Sequence, residues 1–324
     1  MACAAAVDDL DRRRGGTLAR ASVAWGLTCI AVLGVVLAPG EAAVETARLD
    51  SDRPLAVIAA VLVALGLGLH GMVLNDLLDM RRDQTLHPGR ALSSGRAGPA
   101  QAVLVATASL ILAMLGAGML GGQSVLIVVA LAAGLLFHNA MARFIPAIGL
   151  LVPGLLAAGL SMLPGWPPSA PWLSWSLFTI CVALSLLTHV LGNKRPRPSP
   201  RAVTGLVAEW VVVSLLLLAL PLSASLQDEG SGQQVSLLWP GIAVVLLVGL
   251  LLQRFRNSRN LARAADRMLR TTGVWMGLYA AAWCQAFGET GWAIGFLVAT
   301  GLFLLALAGL RELLSDDRGV VGWQ

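Results

Sequence analysis

The sequence predicts an all-α protein, a polytopic bundle of nine or ten membrane-spanning helices, and three observations predict it. First, the 324 residues are 57% hydrophobic and only 13% charged, where a soluble domain carries about 25% charged residues. Second, the apolar residues lie in runs of about twenty, the length a helix needs to cross a hydrocarbon core of about 30 Å. A bilayer offers no water to backbone amides, so such runs are helical. Third, the arginines fall in alternate loops between the runs, as the positive-inside rule requires of cytoplasmic loops.

Ten apolar segments follow in order: residues 22–39, 55–74, 99–119, 125–141, 146–163, 172–191, 203–221, 237–253, 272–288 and 291–310. The N-terminal tail carries Arg12, Arg13, Arg14 and Arg20, and the loop after the second segment carries Arg81, Arg82, Arg90 and Arg96. Arg143 precedes Pro146, and the loop after the sixth segment carries Lys194, Arg195, Arg197 and Arg201. Six arginines occupy residues 254–270, while the intervening loops hold only Arg48 and Arg53. This pattern places the N-terminus and the loop after the second segment in the cytoplasm, in what is expected to be a bacterial cytoplasmic membrane. Segment 272–288 is short and holds Tyr279, Cys284 and Gln285. Read as a span of its own it makes ten, and read with the last segment as one broken span it makes nine. The expected organisation is a cytoplasmic tail over residues 1–21, one transmembrane domain over 22–310 and a C-terminal tail over 311–324.

The net charge of +5 does not indicate nucleic acid. The basic residues sit in short loops and form no stripe interleaved with aromatics. Cys3, Cys29, Cys181 and Cys284 form no CxxC pair, so neither a zinc site nor a disulfide framework is expected. The first apolar run reads as a retained helix, since nine more follow it. The tryptophans, Trp172 and Trp239 among them, mostly flank spans, where interfacial anchoring accounts for them.

Chemistry concentrates where the second segment meets the cytoplasmic boundary. Asn75 is followed by Asp76, Asp79 and Asp83, then by Pro88, Arg90, Leu92, Ser94 and Gly95. At i, i+3 and i+7 the three acids lie within roughly a sixth of a turn of one another. Carboxylates so arranged repel unless a cation stands between them, and Mg2+ is the natural one. It takes oxygen ligands and binds through few carboxylates plus substrate phosphates. Taken alone, the acids also read as solvating groups at a helix end.

The stretch from Asn75 to Gly95 closely resembles the first aspartate-rich motif of the UbiA superfamily of membrane-embedded prenyltransferases, with Ala91 where that family usually has proline. The resemblance implies helices around a central cavity and transfer of a prenyl group from a prenyl diphosphate to an aromatic or otherwise lipophilic acceptor in the membrane. It implies that Asp76, Asp79 and Asp83 are catalytic and hold Mg2+, and that Asn75 and Arg90 assist the diphosphate. A weaker echo runs from His138 to Gly149 and would give Arg143 a diphosphate-contacting role. The lipid bilayer, the prenyl diphosphate and the acceptor are then the partners, and nucleic acid is not.

The second aspartate-rich motif of that family belongs after the sixth segment, and here the pattern breaks. Residues 187–198 hold no acid, and none follows until Glu209. Three readings remain: a plain basic cytoplasmic loop; Lys194, Arg195 or Arg197 gripping the diphosphate in place of a second metal, Lys194 and Arg195 first among them; or a non-catalytic isoprenoid- or lipid-binding protein, or one associated with transport. Ionisable groups in membranes tend to face cavities, which makes His70, His189 and Glu209 further candidates, Glu209 as a substitute for the missing aspartates.

Overall fold

The computed structural model describes residues 20–38, 53–86, 88–163, 165, 170–225, 235–258 and 260–315. The N-terminal tail up to residue 19, His87 and the C-terminal tail beyond residue 315 lie outside the described residues. The helices are α1 (Arg20–Val36), α2 (Arg53–Leu78), α3 (Met80–Leu86), α4 (Pro99–Leu120), α5 (Gly122–Ala140), α6 (Pro146–Ser161), α7 (Pro171–Leu191), α8 (Pro200–Ser225), α9 (Leu238–Arg256), α10 (Leu261–Ala286) and α11 (Thr290–Ser315). A 3-10 turn, Ala142–Phe144, joins α5 to α6. Among the described residues there is no strand. Seven helices, α2, α4, α5, α7, α8, α9 and α11, are long and apolar enough to cross a membrane, and α1 and α6 are shorter apolar helices. The chain is an integral membrane protein of the all-α class.

It divides into two compact units, Ile30–Gln234 and a second made of Met1–Cys29 with Val235–Gln324. In the larger unit α2 and α4 pack almost backbone to backbone. A Cβ on Gly66 would lie 2.6 Å from the carbonyl oxygen of Ser109, and one on Gly116 would lie 2.6 Å from that of Ala59. Small residues permit this approach, which is how helices associate where lipid removes the hydrophobic drive. Leu150, Leu151, Ala158, Phe178, Val182 and Leu206 form a core from α6, α7 and α8.

In the smaller unit α10 departs from expectation in two ways. It begins at Leu261, well inside the stretch read from sequence as a basic loop, and runs unbroken to Ala286. Asn260 caps it, its side chain accepting from the amides of Ala262 and Arg263. Ala264, Ala265 and Met268 bury one face while the arginines occupy the other, so the segment is helical by amphipathicity rather than by an apolar run. It is also well buried: Trp275, Tyr279 and Trp283 are each no more than 2% exposed. Trp275 stacks on Tyr279 at 4.6 Å and donates from Nε1 to the carbonyl of Ala243 at 2.8 Å. These two tryptophans are core residues, unlike Trp172 and Trp239, which are exposed as interfacial anchors would be.

Candidate active site

The aspartate-rich stretch lies where α2 gives way to α3. Asp79 falls in the junction, yet the turn hardly interrupts the helix. The amide of Asp79 donates to the carbonyl of Asn75 at 2.9 Å, and that of Asp83 to the carbonyl of Asp79 at 2.8 Å. Asn75, Asp79 and Asp83 therefore succeed one another a turn apart, as their spacing predicts.

What the spacing does not reveal is the partner each acid takes. Arg143, from the 3-10 turn between α5 and α6, reaches the motif across 64 residues of sequence. Its Nη1 and Nη2 fork onto the two carboxylate oxygens of Asp79 at 2.8 and 2.6 Å, and Nη1 also donates to Oδ1 of Asn75 at 3.0 Å. The pair is largely shielded, with side-chain exposures of 20% for Arg143 and 13% for Asp79. One turn nearer the start of α2, the side-chain amide of Asn139 donates to the carbonyl of Gly71 at 3.2 Å. Asn139 and Arg143 thus grip α2 at Gly71 and Asn75 and the junction after it at Asp79, positions spaced a helical turn apart. The sequence alone gives Asn139 no role. The only signal for it was its place in the stretch that resembles the family.

The turn carrying Arg143 is itself held. Ala142 is fully buried, and a Cβ on Gly149 would lie 2.5 Å from its carbonyl oxygen. The amides of Phe144 and Ile145 bond back to Met141 and Ala142. Arg143 Nε is buried and has no hydrogen-bond partner among the described residues.

Arg90 serves the other end of the motif. Its Nη1 lies 2.5 Å from Oδ2 of Asp83, whose side chain is buried, and 3.8 Å from Oδ1 of Asp76. The loop presenting Arg90 is folded on itself: Arg96 donates to the carbonyl of Gly89 and to the hydroxyl of Ser94, and the amide of Ser94 to the carbonyl of Arg90. Ser94 and Gly95 thus shape the loop that delivers the arginine. Three acids and two guanidiniums make one partly neutralised cluster.

The remaining candidates stand apart from it, in that no side-chain hydrogen bond or ion pair among the described residues joins them to the motif. Lys194 and Arg195 are exposed. Their loop is tied by His189, whose Nε2 lies 2.9 Å from the carbonyl oxygen of Pro196, and by Arg197, which donates to Asn193. His70 Nδ1 lies 2.9 Å from the carbonyl oxygen of Ala106. Glu209, in the third turn of α8, has one carboxylate oxygen buried with no hydrogen-bond partner among the described residues.

As magnesium ligands, Asn75, Asp76, Asp79 and Asp83 are hard oxygen donors on one short stretch of helix, the chemistry the ion requires. Among the described residues no three acidic, histidine or cysteine side chains are placed to share one metal ion. The oxygens of Asp79 and Asp83 face guanidiniums instead. The donor set fits the ion in kind, and a guanidinium lies within 4 Å of each of its members.

An integral membrane helical protein with an arginine-paired acidic cluster at a helix end is the class that fold and site define. No family model matches the chain, and no curated protein matches it in sequence. Among solved structures its fold is similar to that of digeranylgeranylglyceryl phosphate synthase, at 16% identity over 85% of this chain and 97% of that one, with a TM-score of 0.52. It is also similar to a UbiA homolog from Aeropyrum pernix K1, at 16% identity over 78% of this chain and 95% of that one, with a TM-score of 0.50. At such identity the likeness is one of fold.

Proposed function

We propose that the protein is a UbiA-type prenyltransferase, moving a prenyl group from a prenyl diphosphate to a lipophilic acceptor within the membrane. The observation that carries this reading is the forked Arg143–Asp79 pair. It unites the two sequence stretches that resemble the family, from Asn75 to Gly95 and from His138 to Gly149, in one polar site on a fold shared with a digeranylgeranylglyceryl phosphate synthase.

Asp76, Asp79 and Asp83, with Asn75, would hold Mg2+. Bound there, the ion supplies charge neutralisation for the departing diphosphate. Arg143 and Arg90 orient and hold the diphosphate. A guanidinium forks onto phosphate as readily as onto carboxylate, so the groups that now hold Asp79 and Asp83 are already shaped for the anion. Asn139 and the buried Ala142 fix Arg143 against α2. Lys194 and Arg195 stand in for the missing second acidic motif as direct diphosphate contacts, and their exposure leaves both side chains free to reorient. The acidic loop lies on the cytoplasmic side.

Diphosphate release by purified protein tests this, measured with and without Mg2+ in the wild type and in Asp76→Ala/Asp79→Ala. Release that requires Mg2+ and vanishes in the double variant supports transfer. Binding of prenyl diphosphate without release, across a panel of acceptors, replaces the reading with a non-catalytic isoprenoid carrier. Absence of binding removes both.

A further inference from the structure

The second concentration of charge lies in the other unit, at the hairpin where α9 ends and α10 begins. Arg254 and Arg256 close α9, and Arg263, Arg267 and Arg270 follow on α10. At the end of α9 the amide of Asn257 bonds to the carbonyl of Gln253 and that of Ser258 to Phe255, and Asn260 caps α10. The positive-inside rule explains the sign of these charges but not their convergence.

Arg267 and Arg270 are neighbours at i, i+3 on one helix face, where like charges repel. Arg254 adds a third guanidinium from across the turn. Burial pushes the Arg270 guanidinium down from its usual range, Asp266 raises it, and the charges of Arg267 and Arg254 lower it. Arg254 lies in the last turn of α9 and Arg267 and Arg270 on α10, which packs against it, so the three stand near the same end of one helix pair. Among the described residues neither Arg254 nor Arg267 makes an ion pair, and Arg270 donates only to the backbone carbonyl of Asp266, at 3.4 Å. Clustered guanidiniums with Asp266 as the one carboxylate acting on Arg270 among the described residues call for an external anion. Beside them stand Leu252, Phe255 and Leu269, each more than 40% exposed. A soluble anion has no use for that apolar margin, whereas a phospholipid carries both a phosphate and acyl chains.

We propose that the α9–α10 hairpin binds an anionic phospholipid of the leaflet it borders. Arg254, Arg267 and Arg270 hold the headgroup phosphate, while Leu252, Phe255 and Leu269 meet the acyl chains.

The test is equilibrium binding of fluorescent phosphatidylglycerol to the full-length protein in neutral-detergent micelles, with phosphatidylcholine and inorganic phosphate as competitors. Each basic residue at a membrane surface contributes about a fivefold factor. Arg254→Gln/Arg267→Gln/Arg270→Gln should therefore weaken binding on the order of 100-fold, and Arg254→Gln/Arg267→Gln, which spares the half-buried Arg270, about 25-fold. Arg81→Gln/Arg197→Gln/Arg201→Gln removes equal charge from exposed positions of the other unit and should change binding less than about twofold. Gel filtration and far-UV circular dichroism establish that each variant is folded, and the double variant decides the matter if the triple is not. The proposal is overturned if phosphatidylcholine competes as well as phosphatidylglycerol, or if the control loses as much as the hairpin variants. It is equally overturned if millimolar inorganic phosphate displaces the lipid fully, which would assign the cluster to a soluble phosphate.

Discussion

Cutting the Arg143–Asp79 fork gives the sharpest test of the site. Arg143→Ala leaves a carboxylate that is 13% exposed without its bidentate partner and also strips the bond to Asn75. Breaking a buried pair by removing one member costs about 3–5 kcal/mol, chiefly because a charge is left uncompensated. The partial exposure of this pair argues for the lower end, about 3 kcal/mol. At roughly 2–4 °C per kcal/mol for a chain of this size class, the Tm should fall by about 6–12 °C. Asp79→Ala should cost a similar amount, since the guanidinium then retains only Asn75. The double variant removes both charges and should lose far less than the sum, with a coupling of about 2 kcal/mol between the sites. Arg143→Lys should lie between, since an ammonium makes a point contact but not a fork. Thermal unfolding in detergent, followed by intrinsic fluorescence, measures all four proteins. Losses that add within about 0.5 kcal/mol would show that the two side chains do not interact in the folded protein, and the site as drawn would be wrong.

Three further outcomes are expected. Gly66→Ala should lower stability by about 1–3 kcal/mol, because its Cβ meets the Ser109 carbonyl and the Ala113 amide of α4 at 2.6 and 2.7 Å; Gly118→Ala, which meets nothing within 4 Å, should be neutral or stabilising by up to about 1 kcal/mol, and thermal unfolding of the pair separates helix packing from helix propensity. Lys194→Ala should raise KM for prenyl diphosphate about tenfold, the value of one charge-assisted contact; an unchanged KM would make that loop an ordinary cytoplasmic one. Glu209→Ala should weaken Mg2+ binding about tenfold if its unpartnered oxygen supports the metal from α8, and unchanged calorimetric affinity would exclude it.

Sequence reveals what is local and periodic. The all-α class, most helix limits and the aspartate-rich face all follow from runs and spacings within one helix. What it left out depends on distance. The partner of Asp79 lies 64 residues away, and resemblance points to Arg143 only as a diphosphate contact; no pattern indicates that Arg90 folds back onto Asp83. The start of α10 was hidden for a different reason. Six arginines between 254 and 270 depress hydropathy, so the apolar criterion that finds spans reads a loop where Ala264, Ala265 and Met268 in fact bury a helix face. The buried Trp275 and Trp283 depart from the interfacial rule because they lie on that same helix, packed with Tyr279 in its buried face, where Trp275 also donates to the Ala243 carbonyl of α9. His70 and His189 were singled out for their position near the two loops; each lies within hydrogen-bond distance of a backbone carbonyl, which a lone residue type cannot foretell.

The arginine pairs also bear on how metal and substrate would bind. Mg2+ alone must compete with guanidiniums for the oxygens of Asp79 and Asp83. A diphosphate changes the competition, since it offers Arg143 and Arg90 another anion and so frees the carboxylates. The two ligands should therefore bind cooperatively, and linkage makes the effect reciprocal. Isothermal titration should show Mg2+ binding at least about tenfold more tightly in the presence of a non-reactive prenyl thiodiphosphate, a coupling of about 1.4 kcal/mol. Arg143→Ala supplies the internal control. Without its guanidinium, Mg2+ alone should bind more tightly than to the wild type, while the gain on adding the diphosphate analogue should shrink. A wild-type affinity for Mg2+ that ignores the analogue would mean that the arginines do not leave the acids when substrate arrives. The paired cluster would then be a structural clasp between α2 and the α5–α6 turn rather than a site that opens to a metal.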